Sequence, residues 1–239
     1  MRLNAFIAKA GYSSRRKAVL LIKDGKVKVS GKIVREPWYL VKDIDAVTVS
    51  GRALSTEKNL YFIVNKPKGV TTTSGDIHAL KKITELAPAR GARLYPIGRL
   101  DKDSRGLIIL TNDGDLCYRL THPKIEVEKE YIVTVKCLLD TPSLERLKTG
   151  VFDEGDALKV KSYSGVKKKG SQTTLHVIIA EGKKRHLRRL FKSLGATVID
   201  LKRIRIGNLQ LGELEEGRFE RIDKERIYHL ALNSPGKRG

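Results

Sequence analysis

The sequence predicts an α+β protein, a small N-terminal unit followed by a larger one built on a sheet. Three observations carry this. Apolar residues recur at helical spacing in two distant places, at Leu3, Phe6, Ile7 and Ala10 and again at Leu187, Leu190, Phe191 and Leu194. Between them lie strand-like segments, among them the unbroken apolar run 107–110 and the alternating run 129–135. A polar stretch at 55–59 reads as a linker between a short and a long part.

Residues 2–24 read as two short helices. Gly11 ends the first, and Ser13 or Ser14 caps the second. Arg15, Arg16 and Lys17 then stand at a helix N-terminus, where cations oppose the helix dipole. Stability alone would place acids there, so the three are read as contacts to a polyanion backbone. Residues 26–34 (KVKVSGKIV) alternate apolar with basic residues, Lys26 and Lys28 among them, around the hairpin signal Ser30-Gly31. Residues 47–49 with Ser50-Gly51 give a further short strand and turn.

The long part opens with a strand at 61–64, which Pro67 and Gly69 of NKPKG end in a turn. Residues 70–97 read as loop with a helical patch near 83–87. The strand 107–110 runs into turn residues at 111–114 and a short helix at 115–121. KEYIVTV (129–135) sets Tyr131, Val133 and Val135 on one strand face. Thr141-Pro142 starts a short helix with Pro at its first position. A strand at 173–180 turns through Glu181-Gly182 into a helix expected over 183–194, capped by Gly195. Lys184, Arg185, Arg188, Arg189 and Lys192 lie off its apolar stripe and give it a cationic side. Residues 198–206 are expected as a closing strand, and 233–239 as a frayed tail.

The 239 residues carry a net charge of +21, from 48 Lys and Arg against 27 Asp and Glu. Such an excess calls for a polyanionic partner, a nucleic acid or an anionic membrane surface. No apolar run approaches the roughly 20 residues of a spanning helix, and the N-terminus lacks a signal-peptide core. A cytoplasmic protein with a nucleic-acid partner is therefore expected, with no membrane. Cys117 and Cys137 sit in no ligand-like spacing and read as reduced thiols, and the 5 histidines form no metal pattern.

One stretch asks more than folding explains. In GRLDKDSRGLIILTNDGD (98–115), Arg99, Asp101, Lys102, Asp103, Ser104 and Arg105 form a charged loop feeding directly into the core strand. Loops anchored on rigid strands are where catalytic side chains are held. The stretch resembles the nucleophile motif of the pseudouridine synthases, in the RsuA-type branch. NKPKG, KEYIVTV, EGKKRHLRRLFKSLG and IRIGNLQLGELEEGRFERI resemble further motifs of that family, with His186 where Gln is common and Leu190 where Met is common. RLNAFIAKAGYSSRRKA and IKDGKVKVSGKIV resemble the small RNA-binding module shared with a small-subunit ribosomal protein, the S-four domain.

The resemblance implies a helical-hairpin-plus-strands RNA-binding module over 1–56. A catalytic domain would follow over 57–239, a mixed, mostly antiparallel sheet flanked by helices. It implies Asp101 as a nucleophile that isomerises a uridine in ribosomal RNA, attacking either the ribose or the uracil ring. Tyr131 would line the site and stack on the base. Lys183 or Arg185 would pair with Asp101, since a carboxylate in a closed pocket needs a cation to stay ionised. NKPKG would hold the sheet against the nucleophile loop. Arg15, Arg16, Lys17, Lys26, Lys28, Arg99, Arg105, Arg188 and Arg189 are the expected RNA contacts. No cofactor and no metal are expected, and the enzyme is expected to act as a monomer. The GRLDKDS wording favours large-subunit over small-subunit rRNA. The competing reading is a non-catalytic RNA-binding or ribosome-assembly protein with a degenerate synthase domain, and the Asp101, Tyr131 and Lys183/Arg185 set favours the enzyme. A DNA-binding factor lacks any recognisable DNA motif.

Overall fold

The computed structural model describes residues 1–72, 82–88 and 92–232. Helices α1 (Leu3–Lys9) and α2 (Arg15–Lys23) pack against a four-stranded sheet of β1 (Val27–Val29), β2 (Lys32–Ile33), β3 (Val47–Val49) and β4 (Arg52–Leu54). Leu3, Ile7, Ala18 and Ile22 bury against the valines of β1 and β3. The Ser14 hydroxyl caps α2 by accepting the Lys17 N–H. Both hairpins turn through Ser-Gly, with φ of 48° and 83° at Ser30-Gly31 and 48° and 82° at Ser50-Gly51. Two successive left-handed residues match the twist of the flanking strands.

The long part begins with β5 (Tyr61–Lys66), a 3₁₀ turn at Ile83–Leu86, β6 (Tyr95–Ile97), β7 (Arg105–Thr111), α3 (Gly114–Thr121) and β8 (Lys129–Lys136). Next come α4 (Thr141–Thr149), a small hairpin of β9 (Val151–Asp153) and β10 (Asp156–Leu158), then β11 (Ser162–Lys169) and β12 (Gln172–Ile179). Last are α5 (His186–Ser193), β13 (Thr197–Ile206), β14 (Leu209–Gln210), β15 (Phe219–Arg221) and α6 (Lys224–Leu232).

Nine strands form one sheet in the order β11-β12-β8-β13-β7-β5-β15, with β14 on β13 and β6 on β7. Only the β13–β7 pair is parallel, so the sheet is mixed and mostly antiparallel, as the fold class predicts. The unbroken apolar run of β7 has a plain cause. Ile108 and Leu110 enter the core under α5, while Leu107 and Ile109 enter a second core under α3 and α6. A strand covered on both faces has no side left for polar residues.

Four expectations change. The expected closing strand, β13, lies at the centre of the sheet, and two short strands and a helix follow it. Helix α5 begins only at His186, because Arg185 takes a left-handed φ of 51° that breaks any earlier turn. Pro142 stands second, not first, in α4, behind the cap Asp140, which accepts the Ser143 N–H. Strands β6, β9, β10 and β11 and helix α6 were not expected. The frayed tail expected at 233–239 lies outside the described residues.

Candidate active site

The loop 98–104, Tyr131 of β8 and the segment 182–188 surround a cavity of about 510 Å³. The loop is held from below by the NKPKG segment. Lys66 is fully buried, and its ammonium donates to the carbonyls of Ser104 at 2.5 Å, Pro67 at 3.0 Å and Lys102 at 3.3 Å. A buried charge is tolerable when every donor finds an acceptor. Burial brings the Lys66 ammonium down to about 8, against the pull of the Asp103 and Asp101 charges. The Gly69 N–H donates to the Lys102 carbonyl at 2.9 Å. The Thr72 hydroxyl donates to the Leu100 carbonyl at 2.7 Å.

On this clamped loop, Asp101 turns its carboxylate toward the first turn of α5. Its Oδ2 lies 3.5 Å from Arg188 Nε and 3.7 Å from Arg185 Nη1. These are ion-pair distances without tight hydrogen bonds, so the lone pairs stay available. The two arginines differ. Arg188 is nearly buried and pinned: Nη1 donates to the Val198 carbonyl at 3.2 Å, and Nη2 to the Asp103 carbonyl at 3.2 Å and to Ser104 Oγ at 3.3 Å. Arg185 is half exposed.

Lys183, the other candidate partner of Asp101, points elsewhere. Its ammonium donates to the Ala157 carbonyl at 2.7 Å and lies 3.6 Å from Glu181. His186 and Arg189 anchor α5 to the same hairpin. Buried His186 Nε2 donates to the Lys159 carbonyl at 2.9 Å, and burial holds its imidazole below the usual range. Arg189 donates to Asp153 at 2.6 Å, to Asp156 at 2.7 Å and to the Asp153 carbonyl.

Tyr131 is buried and its ring forms part of the cavity wall. Directly opposite it on β13 stands Arg203. Arg99 lies exposed on the cavity rim. Arg105 instead bridges β7 to β13, donating to Asp200 at 3.0 Å and 2.7 Å. Lys68 of NKPKG reaches the same Asp200 at 2.7 Å. Burial acts to raise the Asp200 carboxyl, but the hydrogen bonds from Arg105 and Lys68 outweigh it and hold it at about 2. Arg15, Arg16, Lys17, Lys26 and Lys28 are all exposed on the N-terminal unit, away from the cavity lining.

The structure brings Asp101, Tyr131, Arg99, Lys183, Arg185 and Arg188 to one cavity; the sequence gives Arg188 RNA and active-site contact but does not pair it with Asp101. Sequence reasoning missed the Lys66 ammonium as the clamp under the loop, and Arg203 altogether. The signal for Lys66 was present: a lysine closing a strand that opens with the apolar run 61–64, followed by Pro and Gly.

Residues 60–193 match the family model of the RNA pseudouridylate synthases, and residues 1–47 match that of the S4 domain. The chain belongs to the RNA pseudouridylate synthase family, isomerases acting on RNA. It is 38% identical to the ribosomal large subunit pseudouridine synthase B of Bacillus subtilis (strain 168), over 99% of this chain and 98% of the relative. It is 39% identical to an RNA pseudouridine synthase of Aquifex aeolicus (strain VF5), over 96% of each. The crystal structure of a pseudouridylate synthase superposes with a TM-score of 0.67 at 28% identity, covering 97% of this chain and 99% of that one.

Proposed function

We propose that this protein isomerises a specific uridine of large-subunit ribosomal RNA to pseudouridine, with Asp101 as the nucleophile. The observation that carries the reading is the Asp101 carboxylate in the cavity, flanked by Arg188 and Arg185 and facing a wall that includes Tyr131. The two guanidinium groups orient the carboxylate that attacks carbon. The target base leaves its stack, at roughly a few kcal/mol, to enter the cavity. Asp101 attacks the ribose or the uracil ring, the base detaches, turns and rejoins through a ring carbon, and that carbon loses its proton. Tyr131 stacks on the base and takes part in the proton transfer. Atoms balance throughout, so the reaction is a rearrangement.

The large-subunit target rests on the relative from Bacillus subtilis and on the GRLDKDS wording. Residues 1–56 bind flanking RNA through Arg15, Arg16, Lys17, Lys26 and Lys28, and residues 57–239 carry the chemistry with Arg99 at the rim. Arg105 and Arg189 have their donors engaged by acids within the fold, and we assign them to holding the site rather than RNA.

The experiment is pseudouridine mapping on rRNA from a strain lacking this protein, complemented with wild type or with Asp101→Asn. One large-subunit pseudouridine should vanish, return with wild type and stay absent with the variant, which should still fold and bind RNA. Restoration by Asp101→Asn would overturn the nucleophile. A missing small-subunit site would move the target.

A further inference from the structure

Arg203 is 2% exposed and has no carboxylate within ion-pair distance among the described residues. Such a burial is costly unless the charge is used. Its Nε donates to the Leu107 carbonyl at 2.7 Å, its Nη1 points at the Tyr131 hydroxyl at 3.5 Å, and its Nη2 has no partner. The guanidinium carbon stands 6.0 Å from the centre of the Tyr131 ring.

The backbone fixes this arrangement. Arg203 pairs with Tyr131 across β8–β13 and with Gly106 across β13–β7. Gly106 has φ +102°, and a Cβ there would meet the Arg203 carbonyl oxygen at 2.2 Å. Only glycine lets β13 come so close to the strand that leaves the nucleophile loop. A register shift between Arg203 and Arg205 then sets Arg203 opposite Tyr131 and Arg205 opposite Glu130. Arg205 pairs with Glu130 at 2.8 Å, whereas Arg203 meets only a phenol and a carbonyl. The surrounding charge is cationic as well. Burial, and then the Arg203 charge, bring Lys129 down to about 8.

We propose that Arg203 is a positioning residue for the reaction, acting through the Tyr131 hydroxyl. It does not line the cavity and touches no substrate. It holds the Tyr131 oxygen at one point on the wall and places a fixed positive charge behind it. As the Tyr131 hydroxyl passes its own proton to the ring nitrogen freed when the base detached, negative charge grows on that oxygen and the preorganised guanidinium stabilises it; the oxygen then takes the proton that the ring carbon gives up. An arginine keeps its own proton throughout, so it takes no part in the transfer. The inference rests on the proton-transfer role of Tyr131 proposed above.

The test is a double-mutant cycle of Arg203→Gln and Tyr131→Phe, read as single-turnover rate and as RNA affinity on one rRNA fragment. Arg203→Gln alone should slow turnover about 10- to 100-fold with affinity unchanged. In the Tyr131→Phe background the same change should slow it less than about threefold, because the hydroxyl it serves is gone. Equal losses in both backgrounds would overturn the proposal and make Arg203 a residue of the fold. Should Arg203→Gln not fold, Arg203→Lys takes its place in the cycle, and failure of both to fold overturns the proposal equally. Wild-type turnover by Tyr131→Phe would instead defeat the role of Tyr131 itself, and the inference with it.

Discussion

The arginines and lysines at the start of α2 and those around Asp101 carry the same charge in opposite settings. Arg15, Arg16 and Lys17 are exposed, on a helix end whose dipole disfavours them. Arg188 and Lys66 are buried or nearly so, and they donate to carbonyls of the loop that carries Asp101 and of Pro67 and Val198 beside it. Free cations can follow a phosphate backbone of any local shape, and their energy disperses with salt. Pinned cations hold a reacting group to within a fraction of an ångström, which is what rate depends on. On the proposed function, the molecule separates affinity from chemistry by how tightly each cation is tied.

The largest break in this contrast should come from Arg188→Gln. Removing a preorganised charge beside Asp101 should slow single turnover by about 100-fold or more with RNA affinity nearly unchanged. Arg185→Gln, at a half-exposed cation, should lose about tenfold, and Lys183→Gln less, since it braces the β9–β10 hairpin. Equal losses at Arg185 and Arg188 would show that pinning is irrelevant to the rate. Next in size is the joint replacement of Arg15, Arg16 and Lys17 by Gln. Affinity should fall about tenfold, with the log–log salt slope shallower by about 2, while turnover of bound RNA holds. An unaltered slope would show that the three cations face bulk solvent.

The smallest effect sharpens the contrast through pH. With its ammonium brought down to about 8 by burial, Lys66 loses its proton as pH rises past that point. The neutral amine has fewer N–H groups for its three carbonyls, so turnover should fall, by no more than about tenfold, between pH 7 and 9. Lys66→Arg cannot deprotonate and should flatten that limb. Stability moves the other way. The folded value lies below the ordinary 10.5, so the unfolded chain binds more protons between the two, and the contribution of this group to stability rises with pH across that window. A pH-independent wild-type rate would remove Lys66 from control of the loop.

Elements with one covered face were easy to read, since period and turn chemistry agree there. The α1–α2 pair, the Ser-Gly hairpins and β8 and β12 are of this kind, while β7, covered on both faces, is legible by its unbroken apolar run. Strand β11 was not legible, because SYSGVKKK lies at a sheet edge, mostly exposed, with no alternation to detect. The start of helix α5 is not legible because KKR has helical character, and only the backbone shows Arg185 in the left-handed region. The site was legible as a list of side chains on motifs. The pairing of Asp101 with Arg188 was not, since it depends on how a loop and a helix 87 positions apart meet. Arg203 was hidden for a different reason. Two register shifts in β13 change which residues face inward, so alternation along VIDLKRIRI cannot place it.

The central place of β13 also orders the life of the chain. Among the described strands, β7, which carries the Asp101 loop, and β8, which carries Tyr131, meet only through β13. During synthesis the N-terminal unit can close, with contacts all local to its first 54 residues, long before residues 197–206 leave the ribosome. Until β13 slots in beside Gly106, the two halves of the site belong to separate sheets. On the proposed function, a nascent or truncated chain lacking that strand should hold RNA but not act on it. Closure of so long a loop should be the slow event on the way to an active molecule.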